Sequence, residues 1–103
     1  MPQKNFMDKL LNDIDRMMRH LEIMEIIEKE GPIGIIKLSE KTRLPPHKVR
    51  YSLRVLENNN LVRPSANGAV VTENAKDFMK ELHTRIEELR RKINTIADNF
   101  LPR

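Results

Sequence analysis

The sequence predicts a mainly α protein with one small β-hairpin, and three features lead to that fold class. Residues 3–30 contain neither Gly nor Pro, which favours one long helix. Apolar residues near both ends of the chain alternate at spacings of three and four, the period of a helix face. Between these ends, Asn67-Gly68 separates two short β-prone runs, as in a two-residue hairpin.

The first predicted helix spans residues 3–30 and ends at Gly31-Pro32. Its apolar stripe consists of Met7, Leu10, Ile14, Met17, Leu21 and Met24. Three more apolar residues widen the stripe on both sides, namely Phe6, Leu11 and Met18. A stripe wider than a coiled-coil seam indicates contact with more than one neighbour. The alternative is that the first half of the helix packs on its own domain.

After Gly31-Pro32 the sequence predicts a very short strand, a short helix and a proline-containing turn. Ile33 is predicted to form a very short strand, and a helix is expected over about Ile35–Thr42. Ile35 and Leu38 should face inward on this helix, with Ile36 as a third candidate. Pro45 then disfavours helix at the preceding residue, whereas Pro46 suits a first helical turn.

The helix that begins near Pro46 has two distinct faces. Val49, Leu53 and Leu56 share the apolar face. The opposite face and its flanks carry His47, Lys48, Arg50, Tyr51, Arg54 and Asn58. No acidic residue occurs before Glu57, although a solvated face usually mixes signs. Asn58-Asn59-Asn60 should end the helix, because Asn tolerates the left-handed conformation.

The hairpin is predicted around Asn67-Gly68, with Pro64 restricting its strand to an edge or to irregular pairing. Thr72 can cap the last helix, and Glu73 complements its positive N-terminus. The heptad seam of this helix consists of Met79, Leu82, Ile86, Leu89, Ile93, Ile96 and Phe100.

The composition fits a single folded domain that lacks disulfide bonds. The chain of 103 residues has no cysteine, which suits a reducing cytoplasm. Its beginning lacks the apolar run of a signal peptide, and no segment approaches the roughly 20 apolar residues of a membrane span. The net charge of +4 favours an acidic partner only weakly. Aromatic residues make up 4%, too few for a platform on which single-stranded bases stack.

The order of helix, short helix, turn, basic helix and hairpin is that of a winged helix-turn-helix domain. The segment LSEKTRLPPHKVRYSLRVLENNNLV resembles the helix-turn-helix of small prokaryotic and archaeal transcriptional regulators. Examples are the arsenical-repressor, multiple-antibiotic-resistance and phenolic-acid-repressor families. The segment VVTENAKDF resembles their passage from the wing into the next helix, so the resemblance covers roughly residues 21–78. Asn60 and Ala75 stand where such families often have Gly.

This resemblance implies that residues 21–78 form a winged helix-turn-helix domain that binds double-stranded DNA. The apolar stripes assign the flanking parts to dimerisation, residues 1–20 as the N-terminal part of the first helix and residues 79–103 as a C-terminal coiled-coil helix. The helix from Pro46 would be the recognition helix in the major groove. The implied DNA-binding residues are His47, Lys48, Arg50, Tyr51, Arg54, Lys37, Lys41, Arg43, Arg63 and Asn67. The alternative is that these charges only solubilise the helix.

Other chemistry finds little support in the sequence. His20, His47 and His83 are isolated, without a partner at metal-ligand spacing. No Gly-rich phosphate loop occurs, and nothing places a nucleophile beside a base. We therefore expect no enzyme activity, no metal and no cofactor. The sequence specifies no operator, no effector and no direction of regulation.

A homodimer is expected because the last seam would be exposed in a monomer. In a parallel pair of last helices, Arg85 would face Arg90 of the partner, which disfavours that arrangement. The first helix is the better mate, so residues 6–21 and 82–100 should pack together within and between chains. The dimerisation residues are Phe6, Leu10, Ile14, Met17, Leu82, Ile86, Leu89, Ile93, Ile96 and Phe100. Two other functions stay open: a protein-interaction module in a larger assembly, and a non-specific chromatin-type DNA-binding protein.

Overall fold

The computed structural model describes residues 5–102, except for the side chain of Phe6. Within them the chain is mainly helical, with four α-helices and one two-stranded antiparallel sheet, as the sequence predicts. The elements are α1 (Phe6–Glu30), α2 (Ile35–Thr42), α3 (Pro46–Asn58), β1 (Val62–Ser65), β2 (Gly68–Val71) and α4 (Asn74–Phe100).

Helix α1 begins at Phe6, because Asn5 caps it, and residues 3 and 4 of the predicted span lie outside the described residues. The Asn5 Oδ1 accepts hydrogen bonds from the backbone N–H of Met7 at 2.8 Å and of Asp8 at 3.1 Å. The Asp8 carboxylate accepts the Asn5 N–H in return, which completes a capping box. The helix ends at Glu30, as predicted from Gly31.

The turn between α2 and α3 is closed by short-range hydrogen bonds. Arg43 adopts the left-handed conformation, with φ of 59°. The Thr42 hydroxyl donates to the Leu38 carbonyl at 2.7 Å and accepts the Leu44 N–H at 3.3 Å. Pro46 occupies the first turn of α3, where its missing N–H costs no helical hydrogen bond. The predicted start of α3 is therefore confirmed.

The hairpin forms at the predicted place, but its loop differs from the prediction. The two loop residues are Ala66 and Asn67, and Gly68 is the first residue of β2, paired with Ser65. Gly68 has a φ of 126°, so this position needs the freedom of glycine. The Ser65 hydroxyl donates to the Gly68 carbonyl at 2.6 Å, so a side-chain hydrogen bond also closes the loop.

Ile33 joins the hairpin through an isolated bridge, as the predicted short strand requires. Its N–H and C=O exchange hydrogen bonds with Ala69, at 3.2 Å and 2.8 Å. Because both polar groups of Ala69 face Ile33, Pro64 on the other side needs no donor in its pair with Ala69. The sheet thus accommodates a proline in β1.

The core lies where the second half of α1 meets α2, α3 and the hairpin. Its buried apolar side chains are Ile23, Met24, Ile27, Ile33, Leu38, Val49, Leu53, Leu56, Leu61, Val62 and Ala69. Burial of each larger side chain contributes about 1.5–3 kcal/mol. Ile36 is 75% exposed, so the candidate inward position on α2 is wrong. The helix turns that side chain away from the face that carries buried Leu38.

Helix α4 constitutes a second compact unit that begins at Glu73. The predicted Thr72 cap is wrong, since the Thr72 hydroxyl donates to the Asn60 carbonyl at 2.6 Å and Glu73 occupies the N-cap position. The helix carries ion pairs at helical spacing, such as Arg85–Glu88 at 3.3 Å and Arg90–Glu87 at 3.2 Å. These pairs are exposed and contribute only a few tenths of a kcal/mol each.

Candidate nucleic-acid interface

Helix α3 buries its apolar side chains and exposes its basic ones. Val49, Leu53 and Leu56 are buried against the rest of the first unit. The five residues of α3 that the sequence assigns to DNA are all exposed, namely His47, Lys48, Arg50, Tyr51 and Arg54. The buried side chains fix the rotation of the helix about its axis, so the basic side chains all project outward.

Within residues 5–102, none of the cationic side chains of α3 forms an ion pair with a carboxylate. An unneutralised cluster of Lys and Arg on one exposed helix face attracts a polyanion more strongly than the net charge of the chain suggests.

Three cations on α2 or directly after it are predicted to contact DNA, and one of them lies directly beside α3. Lys37 lines a shallow open groove together with Arg50 and Pro46. Glu40 and the exposed Ile36 lie in the same groove, so it is less basic than α3 itself. Arg43 is exposed in the turn. Lys41 differs from these two cations, because it forms an ion pair with the Glu30 carboxylate, 2.8 Å from its Nζ.

The hairpin presents the two remaining predicted residues. Arg63 on β1 and Asn67 in the loop are both exposed. The Asn67 N–H donates to the Ser65 hydroxyl at 3.3 Å, which holds the backbone of the loop while the side chain of Asn67 stays exposed. The hairpin therefore offers one cation and one amide.

A polar cluster between α1 and α3 was missed by the sequence reasoning. Ser52 is completely buried. Its hydroxyl accepts a hydrogen bond from Arg19 Nε at 3.1 Å and lies 2.8 Å from His20 Nδ1. The Arg19 guanidinium carbon is 5.7 Å from the centre of the Tyr51 ring. One signal was available, because Ser52 shares the spacing of Val49, Leu53 and Leu56 and so falls on the buried face.

The environment of His20 favours its neutral form. Burial lowers the pKa of His20 below its usual 6.5, and the positive charges of Arg19 and then Arg16 lower this pKa further. The ring of His20 also lies near Tyr51, with centroids 5.9 Å apart. His20 is thus a packed polar residue of the α1–α3 contact.

The predicted dimerisation residues are apolar side chains with large exposed fractions. On α1, Leu10 and Met17 are 44% and 45% exposed, and Ile14 is half-buried. On α4, Leu82 and Ile86 are half-buried. The other four α4 residues are 41–76% exposed, namely Leu89, Ile93, Ile96 and Phe100. The side chain of Phe6 lies outside the described residues.

The described residues contain neither a membrane-spanning helix nor a metal-binding cluster. No helix among residues 5–102 is both long enough and apolar enough to cross a bilayer. In the same part of the chain, no three His, Cys, Asp or Glu side chains lie close enough to share a metal ion.

The fold belongs to a class of small, mainly helical, helix-turn-helix-like domains with a two-stranded hairpin. One solved structure with a similar fold is the activation domain of the phage T4 transcription factor MotA. The TM-score is 0.56 at 22% sequence identity, over 74% of this chain and 81% of that domain. At this identity the similarity concerns the fold alone. The sequence matches no family model and no curated protein.

Proposed function

We propose that this protein is a dimeric, sequence-specific double-stranded DNA-binding protein of the winged helix-turn-helix type that regulates transcription in the cytoplasm. The observation that carries the proposal is the exposed basic face of α3, which has no acidic residue from Pro46 to Leu56 and no ion pair to its cations within residues 5–102. The proposal includes no catalytic step and no cofactor. The fold similarity to part of a transcription factor supports it.

Helix α3 would enter the major groove with its N-terminal half near the base edges. Arg50 and Arg54 suit guanine, because a guanidinium can donate two parallel hydrogen bonds to O6 and N7. Lys37 and Arg43 flank α3 and would hold backbone phosphates, which position the protein without reading sequence. Arg63 and Asn67 would reach the neighbouring backbone from the hairpin.

The dimer would use the apolar faces of α1 and α4. Cations flank the α4 stripe on both sides, Arg90 on one and Arg85 and Lys92 on the other. Two α4 helices side by side would therefore bring like charges together in either orientation. The positions that flank the α1 stripe hold no Lys or Arg, so α1 of one copy is the more favourable partner for α4 of the other. A two-fold axis would set two α3 helices about 34 Å apart on a pseudo-palindromic site.

Selection of bound sequences from random duplexes tests this function. A DNA-reading dimer should enrich a motif with two-fold symmetry. The matched control is a variant with Arg50 and Arg54 replaced by Ala, which should enrich none. Binding without any enriched motif would instead indicate a non-specific chromatin-type protein.

A second candidate is a protein-interaction module of a transcription complex. It is favoured by one observation, that the similar solved domain is described as an activation domain. Exposed apolar residues on α1 and α4 would then dock on a protein partner rather than on a second copy. A wild-type chain that binds no duplex above the level of the Arg50/Arg54 variant would favour this function.

A further inference from the structure

Arg19 is held in place on two sides by α3. Its Nε donates to the buried Ser52 hydroxyl at 3.1 Å, and its guanidinium lies 5.7 Å from the centre of the Tyr51 ring. A hydrogen bond on Nε and an aromatic ring beside the guanidinium together restrict the rotamers of a long side chain. An arginine ordered in advance loses less conformational entropy when it binds a ligand.

The outer nitrogens of Arg19 remain available. Within residues 5–102, Arg19 forms no ion pair, and neither Nη1 nor Nη2 donates a hydrogen bond. Arg16, one turn earlier on α1, shows the usual alternative, because it pairs with Asp13. Arg19 is therefore a half-buried cation whose one hydrogen bond leaves two terminal amino groups free. A planar guanidinium of this kind suits an anion with two acceptor oxygens.

The position of Arg19 identifies the class of anion. Tyr51, which Arg19 contacts, belongs to the exposed face of α3 that also carries Arg50 and Arg54. A ligand that covers this face and extends beyond α3 toward α1 must carry repeated negative charge. The phosphodiester backbone of duplex DNA has that property.

We infer that Arg19 is a phosphate-binding residue of the interface, held by Ser52 and Tyr51, and that the DNA-binding surface extends from α3 onto α1. The inference rests on the proposed function and adds a contact that neither the helix-turn-helix segment nor the hairpin contains. Ser52 is a positioning residue in this arrangement, since it acts on DNA only through Arg19.

The test is a fluorescence-anisotropy titration of a selected duplex at several salt concentrations. Arg19→Ala should weaken all duplexes alike and reduce the slope of log affinity against log salt by about one unit. Arg16→Ala is the control, and its slope should match the wild type because Asp13 already neutralises Arg16. Ser52→Ala keeps the charge, so it should lower affinity severalfold while the slope stays nearly unchanged.

Arg19→Lys separates charge from geometry. It should restore the salt slope but not the affinity, because an ammonium lacks the planar fork and the Nε hydrogen bond. Thermal unfolding of each variant identifies any loss of fold, and Arg19→Lys carries the test if Arg19→Ala is unfolded. An Arg19→Ala protein with wild-type affinity and slope, or an Arg19→Lys protein with wild-type affinity, would overturn the inference. A wild type that binds no duplex would instead refute the proposed function.

Discussion

At the scale of single residues, the buried hydroxyl of Ser52 contacts a histidine, His20, whose charged form is disfavoured by burial and by two arginines. Arg19 Nε donates to this oxygen, so the hydroxyl proton is free to point toward His20 Nδ1 at 2.8 Å. That arrangement suits a neutral His20 that accepts at Nδ1, the form that burial favours. Protonation would place a positive charge in a partly buried site, close to the charges of Arg19 and Arg16.

The stability of the fold should therefore depend on His20 at mildly acidic pH. Because the pKa of His20 is lowered in the folded state, the unfolded state binds more protons between that pKa and about 6.5. The free energy of unfolding should fall as the pH drops through this window and level off below the folded pKa. Chemical denaturation across the pH range measures it.

His20→Gln should remove this part of the pH dependence, since glutamine does not titrate. His47→Gln, at an exposed position on α3, is the control and should keep the wild-type profile. Parallel profiles for the wild type and His20→Gln between about pH 5 and 7 would contradict this role of His20.

Gly68 is the second residue with a strict local requirement. Its φ of 126° is strained for other residues, and an added Cβ would lie 2.5 Å from the Ile33 carbonyl carbon. Gly68→Ala should lower the free energy of unfolding by more than about 1 kcal/mol. Gly34→Ser is the control, because Gly34 has open space around it and serine would cap α2. A Gly68→Ala protein as stable as Gly34→Ser would show that the hairpin tolerates the clash.

Residue-level prediction succeeded where the cause was local. Asn60 has the expected left-handed φ, 58°, because short polar side chains tolerate that conformation. The contact of Ser52 with Arg19 joins residues 33 positions apart, and no local pattern encodes such a pairing. The buried position of Ser52 was readable from helical spacing, whereas its partners depend on how α1 crosses α3.

At the scale of elements, the proposed function assigns sequence specificity to α3. Arg50→Ala or Arg54→Ala should cost about 1–3 kcal/mol of binding free energy and relax the preference at one base position. Lys37→Ala and Arg43→Ala are the comparison, since phosphate contacts weaken all duplexes alike. Competition titrations with single-base variants of the selected site measure both effects. Identical losses on every duplex for all four variants would mean that α3 does not read bases.

The order of elements was predictable because Gly and Pro residues mark where helices end and begin. Gly31 ends α1, and Pro46 begins α3, at the expected positions. The errors occur where two partners compete for one group. Thr72 donates to the Asn60 carbonyl instead of capping α4, and the turn closes over Ala66-Asn67 so that Gly68 enters the strand. Sequence spacing does not rank such competing hydrogen bonds.

At the scale of the whole molecule, the exposed apolar stripe on α4 should govern the oligomeric state. Replacement of Ile86 and Ile93 by Asp should convert a dimer to a monomer, because a buried interface does not tolerate unpaired carboxylates. The control adds the same charge off the stripe, with Thr84→Asp and Asn94→Asp, both at exposed positions. The oligomeric state is measured by light scattering at tens of micromolar, where the control should stay dimeric. A monomeric wild type, or an Ile86→Asp/Ile93→Asp variant that stays dimeric, would contradict this interface.

The most direct test of the account is whether the basic face of α3 reads DNA sequence. Anisotropy titrations should compare the selected duplex with a scrambled one. Three proteins are titrated: the wild type, an α3 variant and an α4 variant that removes the same number of charges. The α3 variant is Lys48→Ala/Arg50→Ala/Arg54→Ala, and the α4 variant is Lys76→Ala/Lys80→Ala/Arg91→Ala. The wild type and the α4 variant should prefer the selected duplex by a factor of about 10³ or more, and the α3 variant should lose that preference. Equal affinity of the wild type for both duplexes, or an α3 variant that still discriminates, would contradict the account.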